Sequence, residues 1–350
     1  MPTPDHTRRA AAATATAILA LLTAACGGTQ TARTDSPTAT PRLSSGTPSA
    51  TPQLPSAGTV AATIPSLGAL SQKDDTYGVG ADGTSVWVYN GETGVVTRVD
   101  EASRKVTATV LLHPGCATGR GCGNLAVGEG AVWVANDVDG TITRIDPATN
   151  RAVATIAVGG ATVGPLVYTT PGAVWSANYG SDSYSRIDPH TSTIAATLHN
   201  HLQAEAVAYS GGTVWLCDAG GDPALTALDA TSFAVKKQYS LQPGFCIQTV
   251  PLGTSVYIAG DTGAPRVLDP ATGSITTAGE LPGTKHSGLA GAADGAWAID
   301  ADFGLFRLDP HTGSPSAQVP LAGAAGVADD GHAVWVMTGD GSLDEITPAS

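Results

Sequence analysis

The sequence predicts an all-β fold, a seven-bladed propeller with four antiparallel strands in each blade. Three observations carry that prediction. An aromatic residue between small or β-branched neighbours recurs at Trp87, Trp133, Trp175, Trp215, Tyr257, Trp297 and Trp335, spaced by 46, 42, 40, 42, 40 and 38 residues. A period of about 40 residues holding four short strands is the signature of a propeller blade. The composition agrees: 43 glycines with 13% charged and 5% aromatic residues suit many tight turns and few helices. Finally, the seventh unit stops one strand short, and a matching strand stands before the first unit.

The elements follow in chain order. Residues 1–25 begin with a basic stretch, MPTPDHTRRA, and continue into AAATATAILALLT, an apolar run too short to span a bilayer. Small residues then precede Cys26. That order reads as a secretory leader, outside the fold. With the Cys placed directly after the small residues, it resembles a bacterial lipoprotein signal, in which Cys26 becomes the lipidated first residue. Residues 26–58 are Thr, Ser, Pro, Ala and Gly with almost no large apolar side chain, so they form a disordered tether. The propeller is expected over residues 59–350.

Within a unit, the first strand is a short run such as LAVGEG or AVAYSGG, and the second carries the aromatic, as in VWVAN. The third is VTRVD, ITRIDP, YSRIDP, APRVLDP or LFRLDP. A turn such as DPATN or DPHTG leads to the fourth, KVTATVLL, AVATIAV or TIAATL. The Asp of each turn folds onto its own backbone and the Pro presets φ. TVAATIPSLG, residues 59–68, reads like AVATIAVGG and is expected to complete the last blade, removing two open sheet edges.

What recurs in nearly every unit is architecture rather than chemistry. This covers Arg98, Arg144, Arg186, Arg266 and Arg307, and the turn residues Asp100, Asp146, Asp188, Asp269 and Asp309. His190 and His311 sit within such turns as solvated bystanders. Asp137 and Asp139 place Gly140 too early for a calcium loop, so that stretch is a turn.

The repeat VWVANDVDGTITRIDPATNRAVATIAVGG resembles the YVTN-type β-propeller repeat and its relatives, among them the streptogramin (virginiamycin B) lyases. The likeness covers all seven units, so it is specific for fold but not for function. The net charge of −13 excludes nucleic acid as a partner, because no basic face is available to displace counterions from phosphate.

A site is expected on the rim where second-to-third-strand turns and blade-joining segments meet. Three residues after each aromatic stand Asn90, Asn136, Asn178, Asp218, Gly260, Asp300 and Thr338. They either cap their own turns or form a ligand ring, with Asn136, Asn178, Asp218, His286 and Asp300 as the binding candidates. The joining segments also bring His113, His199 and His201 toward this rim. The lyase resemblance implies a general base at His286 and a magnesium ion held by Asp300, with Asp302 or Asp218 assisting. The chain departs from that pattern at Cys246 and Thr284, where those enzymes have His and Glu.

Four cysteines besides Cys26 lie in an exported, oxidising setting. Cys116 and Cys122 share one joining segment. Cys217 ends a second strand beside the innermost strand that Cys246 begins. The pairs Cys116–Cys122 and Cys217–Cys246 are expected, out of three connectivities. The expected protein is a monomeric lipoprotein on the outer face of the membrane, touching it through the lipid alone. Its propeller would be a scaffold without cofactor, binding an envelope protein, peptide or glycan. The alternative is a magnesium-dependent lyase or lactonase built on His286 and Asp300.

Overall fold

The computed structural model describes residues 54–71, 77–112, 124–136, 138–159, 165–199, 201–260, 264–282, 286–292 and 295–349 (backbone only at 165, 286 and 287), all within the unit Pro52–Ser350. The expected leader, the lipidation residue Cys26, most of the tether, His113, Cys116 and Cys122 lie outside them.

Among these residues, twenty-eight strands form seven four-stranded antiparallel sheets. Strand β1 (Gly58–Ile64) belongs to the last sheet. Blade 1 is β2 (Gly78–Ala81), β3 (Ser85–Asn90), β4 (Val95–Asp100) and β5 (Lys105–Leu111). Blade 2 is β6 (Leu125–Gly128), β7 (Ala131–Asn136), β8 (Thr141–Asp146) and β9 (Arg151–Ala157). Blade 3 is β10 (Pro165–Thr170), β11 (Ala173–Asn178), β12 (Ser183–Asp188) and β13 (Thr193–His199). Blade 4 is β14 (Ala204–Ser210), β15 (Thr213–Asp218), β16 (Ala224–Asp229) and β17 (Val235–Ser240). Blade 5 is β18 (Gln248–Leu252), β19 (Ser255–Ala259), β20 (Arg266–Leu268) and β21 (Ile275–Thr277). Blade 6 is β22 (His286–Ala292), β23 (Gly295–Asp300), β24 (Gly304–Leu308) and β25 (Pro315–Pro320). Blade 7 is β26 (Ala324–Asp329), β27 (Val334–Thr338) and β28 (Leu343–Pro348), completed by β1. The first strands of neighbouring blades meet around the ring's centre.

Strand composition follows position. Second strands are buried on both faces; β3, SVWVYN, has no exposed residue. Fourth strands form the outer flank, and in KVTATVL of β5 only Val110 is buried. First strands converge and must be small: a Cβ added to Gly80 would lie 2.6 Å from Val127 Cγ2.

The recurring Arg is a rivet between blades. Arg98, Arg144 and Arg307 are cross-strand partners of Trp87, Trp133 and Trp297. Their guanidinium carbons lie 5.0, 5.5 and 4.7 Å from the indole centroids, within the range of cation–π attraction. Arg98 Nη1 also donates to Pro147 O at 2.7 Å, and Arg144 Nη1 to Ser192 Oγ at 3.1 Å, each in the next blade. The turn carboxylates accept backbone N–H groups, as from Ala148 to Asp146 (2.8 Å) and from His311 to Asp309 (3.0 Å). Such bonds hold both acids below the ordinary carboxylate range.

Arg266 does not belong with this set. One more residue separates it from its Asp than in TRID, so it lies opposite Ile258, and Val267 lies opposite Tyr257. The sequence pattern placed it one position out of register.

The N-terminal strand closes the ring. Gly58 pairs with Pro348 and Ile64 with Leu343, with a shift between Val60 and Ala62. The segment before it adds a strap that the sequence did not announce. Gln318 N of β25 donates to Pro55 O, and Ala57 N donates to Gln318 O, both at 2.9 Å. Residues 54–57 thus cross from blade 6 to blade 7.

At the blade 1–blade 7 seam, Glu101 stands near Asp330. Asp330 is a fixed anion, accepting from His332 N (2.7 Å), Ala333 N (2.9 Å) and Trp335 Nε1 (3.2 Å). Burial, then the charges of Asp330 and Asp82, push the Glu101 carboxyl up to about 7 from 4.5. A carboxyl raised in the fold favours folding while protonated, so its contribution is complete below pH 4.5 and is lost as pH rises through about 7. Glu101→Gln is therefore expected to raise the melting temperature at pH 8 and leave it nearly unchanged at pH 5. Equal shifts at both pH values would refute the assignment.

Candidate functional site

One end of the ring carries the second-to-third-strand turns and the crossings between blades; the other carries the remaining turns. The ring of polar residues lies at the first end, and the structure shows what each member does. Asn90, 2% exposed, donates to Gly68 O at 3.1 Å and accepts from Thr93 N at 3.2 Å. Asn136 Nδ2 donates to Thr141 Oγ1 (2.8 Å) and Thr143 Oγ1 (2.9 Å). Asn178 is fully buried and ties Ser176, Ser183 and Ser185 together. Thr338 Oγ1 donates to Asp340 Oδ1 at 2.6 Å. These four pin their own hairpins, the ordinary work of Asn and Thr beside turns.

The two acids differ. Asp218, 5% exposed, receives His201 Nδ1 at 2.9 Å on one oxygen, while its Oδ1 is buried with no hydrogen-bond partner among the described residues. A carboxylate on Nδ1 places a proton on that nitrogen and orients the ring. The His201 ring stands edge-on to Tyr184 at 5.1 Å, and Tyr184 donates to Cys217 O at 2.5 Å. Burial first, and then Asp218, holds the Tyr184 phenol well above its ordinary pKa. The sequence brought His201 and Asp218 to one rim, but their pairing depends on how the crossing between blades 3 and 4 folds back.

Asp300 is fully buried. Its Oδ1 accepts from Asp302 N (2.9 Å) and Phe303 N (3.1 Å), and its Oδ2 has no partner among the described residues. Its cross-strand partner is His286, the first residue of β22; the His286 side chain lies outside the described residues. The two backbone positions stand opposite each other in register. The acids named as possible magnesium ligands are engaged separately: Asp218 accepts from His201, Asp300 caps its own turn, and Asp302 is exposed. Among the described residues no group of three His, Cys, Asp or Glu side chains is placed to hold a metal.

Cys217 is joined to Cys246 with a Cα separation of 5.6 Å, as the sequence predicted. The bond fastens the crossing between blades 4 and 5 to the end of β15. That crossing and Gly260 bound a cavity of 220 Å³ lined by Pro243, Phe245, Ile258, Ala264, Arg266 and Thr277.

Exposed apolar side chains are also unevenly placed. Leu111, Val138, Leu202, Phe245 and Phe303 lie at the rim, and Val60, Val106, Val153, Ile194 and Val235 on the outer flank. Among the described residues, no large exposed apolar side chain lies on a turn of the opposite end.

No known family profile and no curated protein sequence matches the chain. Solved structures do. Hydrazine synthase of Kuenenia stuttgartiensis is 15% identical with a TM-score of 0.64, over 78% of this chain and 96% of that one. Virginiamycin B lyase from Staphylococcus aureus is 13% identical with a TM-score of 0.65, over 82% and 98%. BamB from Moraxella catarrhalis is 14% identical with a TM-score of 0.57, over 83% and 99%. At these identities the likeness shows the fold, a propeller like theirs, and no activity.

Proposed function

We propose that this protein is an envelope-anchored lipoprotein whose propeller is a non-catalytic scaffold, binding an envelope protein, peptide or glycan through its rim. One observation carries the non-catalytic part. Cys246 stands where the resembling lyases have their second His, and it is consumed in a disulfide with Cys217. A disulfide sulfur offers neither a general acid or base nor a metal-binding thiolate. Five large exposed apolar side chains at the rim, against none on a turn of the opposite end among the described residues, favour docking at the rim.

The anchor rests on the leader and on Cys26. Among the described residues no helix is long and apolar enough to cross a membrane. Cys26→Ala is expected to abolish palmitate labelling and move the protein out of the detergent phase. Unchanged labelling would remove the lipoprotein reading.

The rim is tested by placing a photo-crosslinking residue at Leu202 or Phe245, and at Ser103 on the opposite end as control. Adducts in intact envelopes are expected from the first two alone. Equal adducts from Ser103 would sink the rim assignment. A second reading, a lyase or lactonase, is favoured by the pairing of His286 with Asp300 in register. It requires magnesium-dependent ring opening of a lactone or cyclic depsipeptide, lost in His286→Ala by about 10²–10⁴-fold. No turnover is the expected result.

A further inference from the structure

Blade 5 breaks the repeat twice in one place, and the two breaks open the cavity beside Arg266. At the end of its second strand stands Gly260, where the other blades carry Asn90, Asn136, Asn178, Asp218, Asp300 and Thr338. Gly260 itself contributes no side chain there, and a Cβ added to it would lie 3.1 Å from Phe245 O of the crossing.

The second break is the register of Arg266. Arg98 and Arg144 reach forward into the turn of the next blade. Arg266, one position out of step, presents the other face of the sheet and reaches back instead. Its Nη1 donates to Leu241 O at 2.6 Å and its Nη2 to Phe245 O at 3.3 Å, both in the crossing from blade 4. That crossing passes close over it: a Cβ on Gly244 would lie 2.9 Å from Arg266 Nη2. The Cys217–Cys246 bond holds the same crossing in place.

A guanidinium has five N–H donors in a planar fork. Two carbonyls engage part of that fork, and among the described residues no carboxylate accepts from it. None of the three ion pairs among the described residues includes Arg266. Partial burial lowers its pKa, because lost hydration disfavours the charged form. The other walls, Pro243, Phe245, Ile258 and Ala264, are apolar, with Thr277 as a neutral polar group.

We propose that this cavity binds a small monocarboxylate with an apolar body, its carboxylate on the Arg266 guanidinium and its body against Pro243, Phe245 and Ile258. The planar fork matches a carboxylate. The volume of 220 Å³ has room for a branched short acid. The same chemistry is offered by a free acid or by the C-terminal residue of a peptide. The site does not depend on the scaffold reading, and its test uses the chain with no partner present.

The test is calorimetric titration of the oxidised, purified protein with 4-methylpentanoate, 4-methylpentanol, inorganic phosphate, and acetyl-Ala-Leu with a free or an amidated C-terminus. Binding of the acid but not the alcohol is expected. Binding of the free-ended peptide but not its amide would place the natural ligand among peptides; binding of the acid alone would place it among free metabolites. Arg266→Gln should weaken the acid by about 10- to 100-fold, the loss of a charge-assisted pair. Gly260→Asn, which refills the cavity and keeps the guanidinium, should weaken it as well. Should Arg266→Gln fail to fold, Gly260→Asn decides. No binding of 4-methylpentanoate, equal binding of phosphate, or undiminished binding in Gly260→Asn would overturn the proposal.

Discussion

A chain lacking residues 54–70 is expected to lose its single sharp thermal transition and to self-associate. The deletion removes β1 together with the strap on blade 6. Ile64 and Leu67 are 7% and 9% exposed, packed against Val86, Trp335, Met337 and Leu343 in one cluster. Burying two such side chains is worth about 3–6 kcal/mol together. For a domain of this class each kcal/mol moves the melting temperature by roughly 2–4 °C, so a fall of about 10–20 °C is expected from these two alone. The bared edge of β28 adds a route to association, because an unpaired strand pairs with another chain. Scanning calorimetry and light scattering read both effects. A sharp melt at the original temperature would show that these residues do not close the ring.

Replacing both Cys217 and Cys246 by Ala is expected to cost about 3–4 kcal/mol, the chain-entropy value for a loop with a sequence separation of 29. Both residues are fully buried, so Ala is preferred over Ser, whose hydroxyl would need a partner. The readout is the guanidinium midpoint of the variant against the oxidised protein, at unchanged slope. A reduced wild type should match the variant. A difference below about 1 kcal/mol would show that the bond fastens the crossing without stabilising the fold. The carboxylate-binding cavity supplies an independent check, since the freed crossing carries Pro243 and Phe245.

The fold was legible because each blade repeats its burial pattern, so seven imperfect copies of Trp, TRID and DPxT reinforced one another. Closure was legible because blade 7 lacked a strand and residues 59–68 resembled the missing one. The Cys217–Cys246 pair followed from strand order alone. The strap at residues 54–57 was not legible, since it rests on backbone groups of Pro55 and Ala57, which no side-chain pattern reveals. The His201–Asp218 pair was half legible: both residues were assigned to one rim, but a four-residue crossing decides which way the ring turns. Arg266 was misplaced because a single inserted residue inverts the face of a strand. The signal was present in R-V-L-D against R-I-D, and a count of residues between Arg and Asp would have found it.

The pairing of β1 with β28 also governs when this protein can fold. Gly58 meets Pro348, and the side chains of Thr63 and Asp344 meet across 281 residues of sequence. Contacts of such separation carry a large loop-closure penalty and form late. A nascent or threading chain holds β1 idle while blade after blade emerges, and the ring locks only when β28 arrives. Closure therefore waits until β28 is free to pair with β1, however early the other blades have formed.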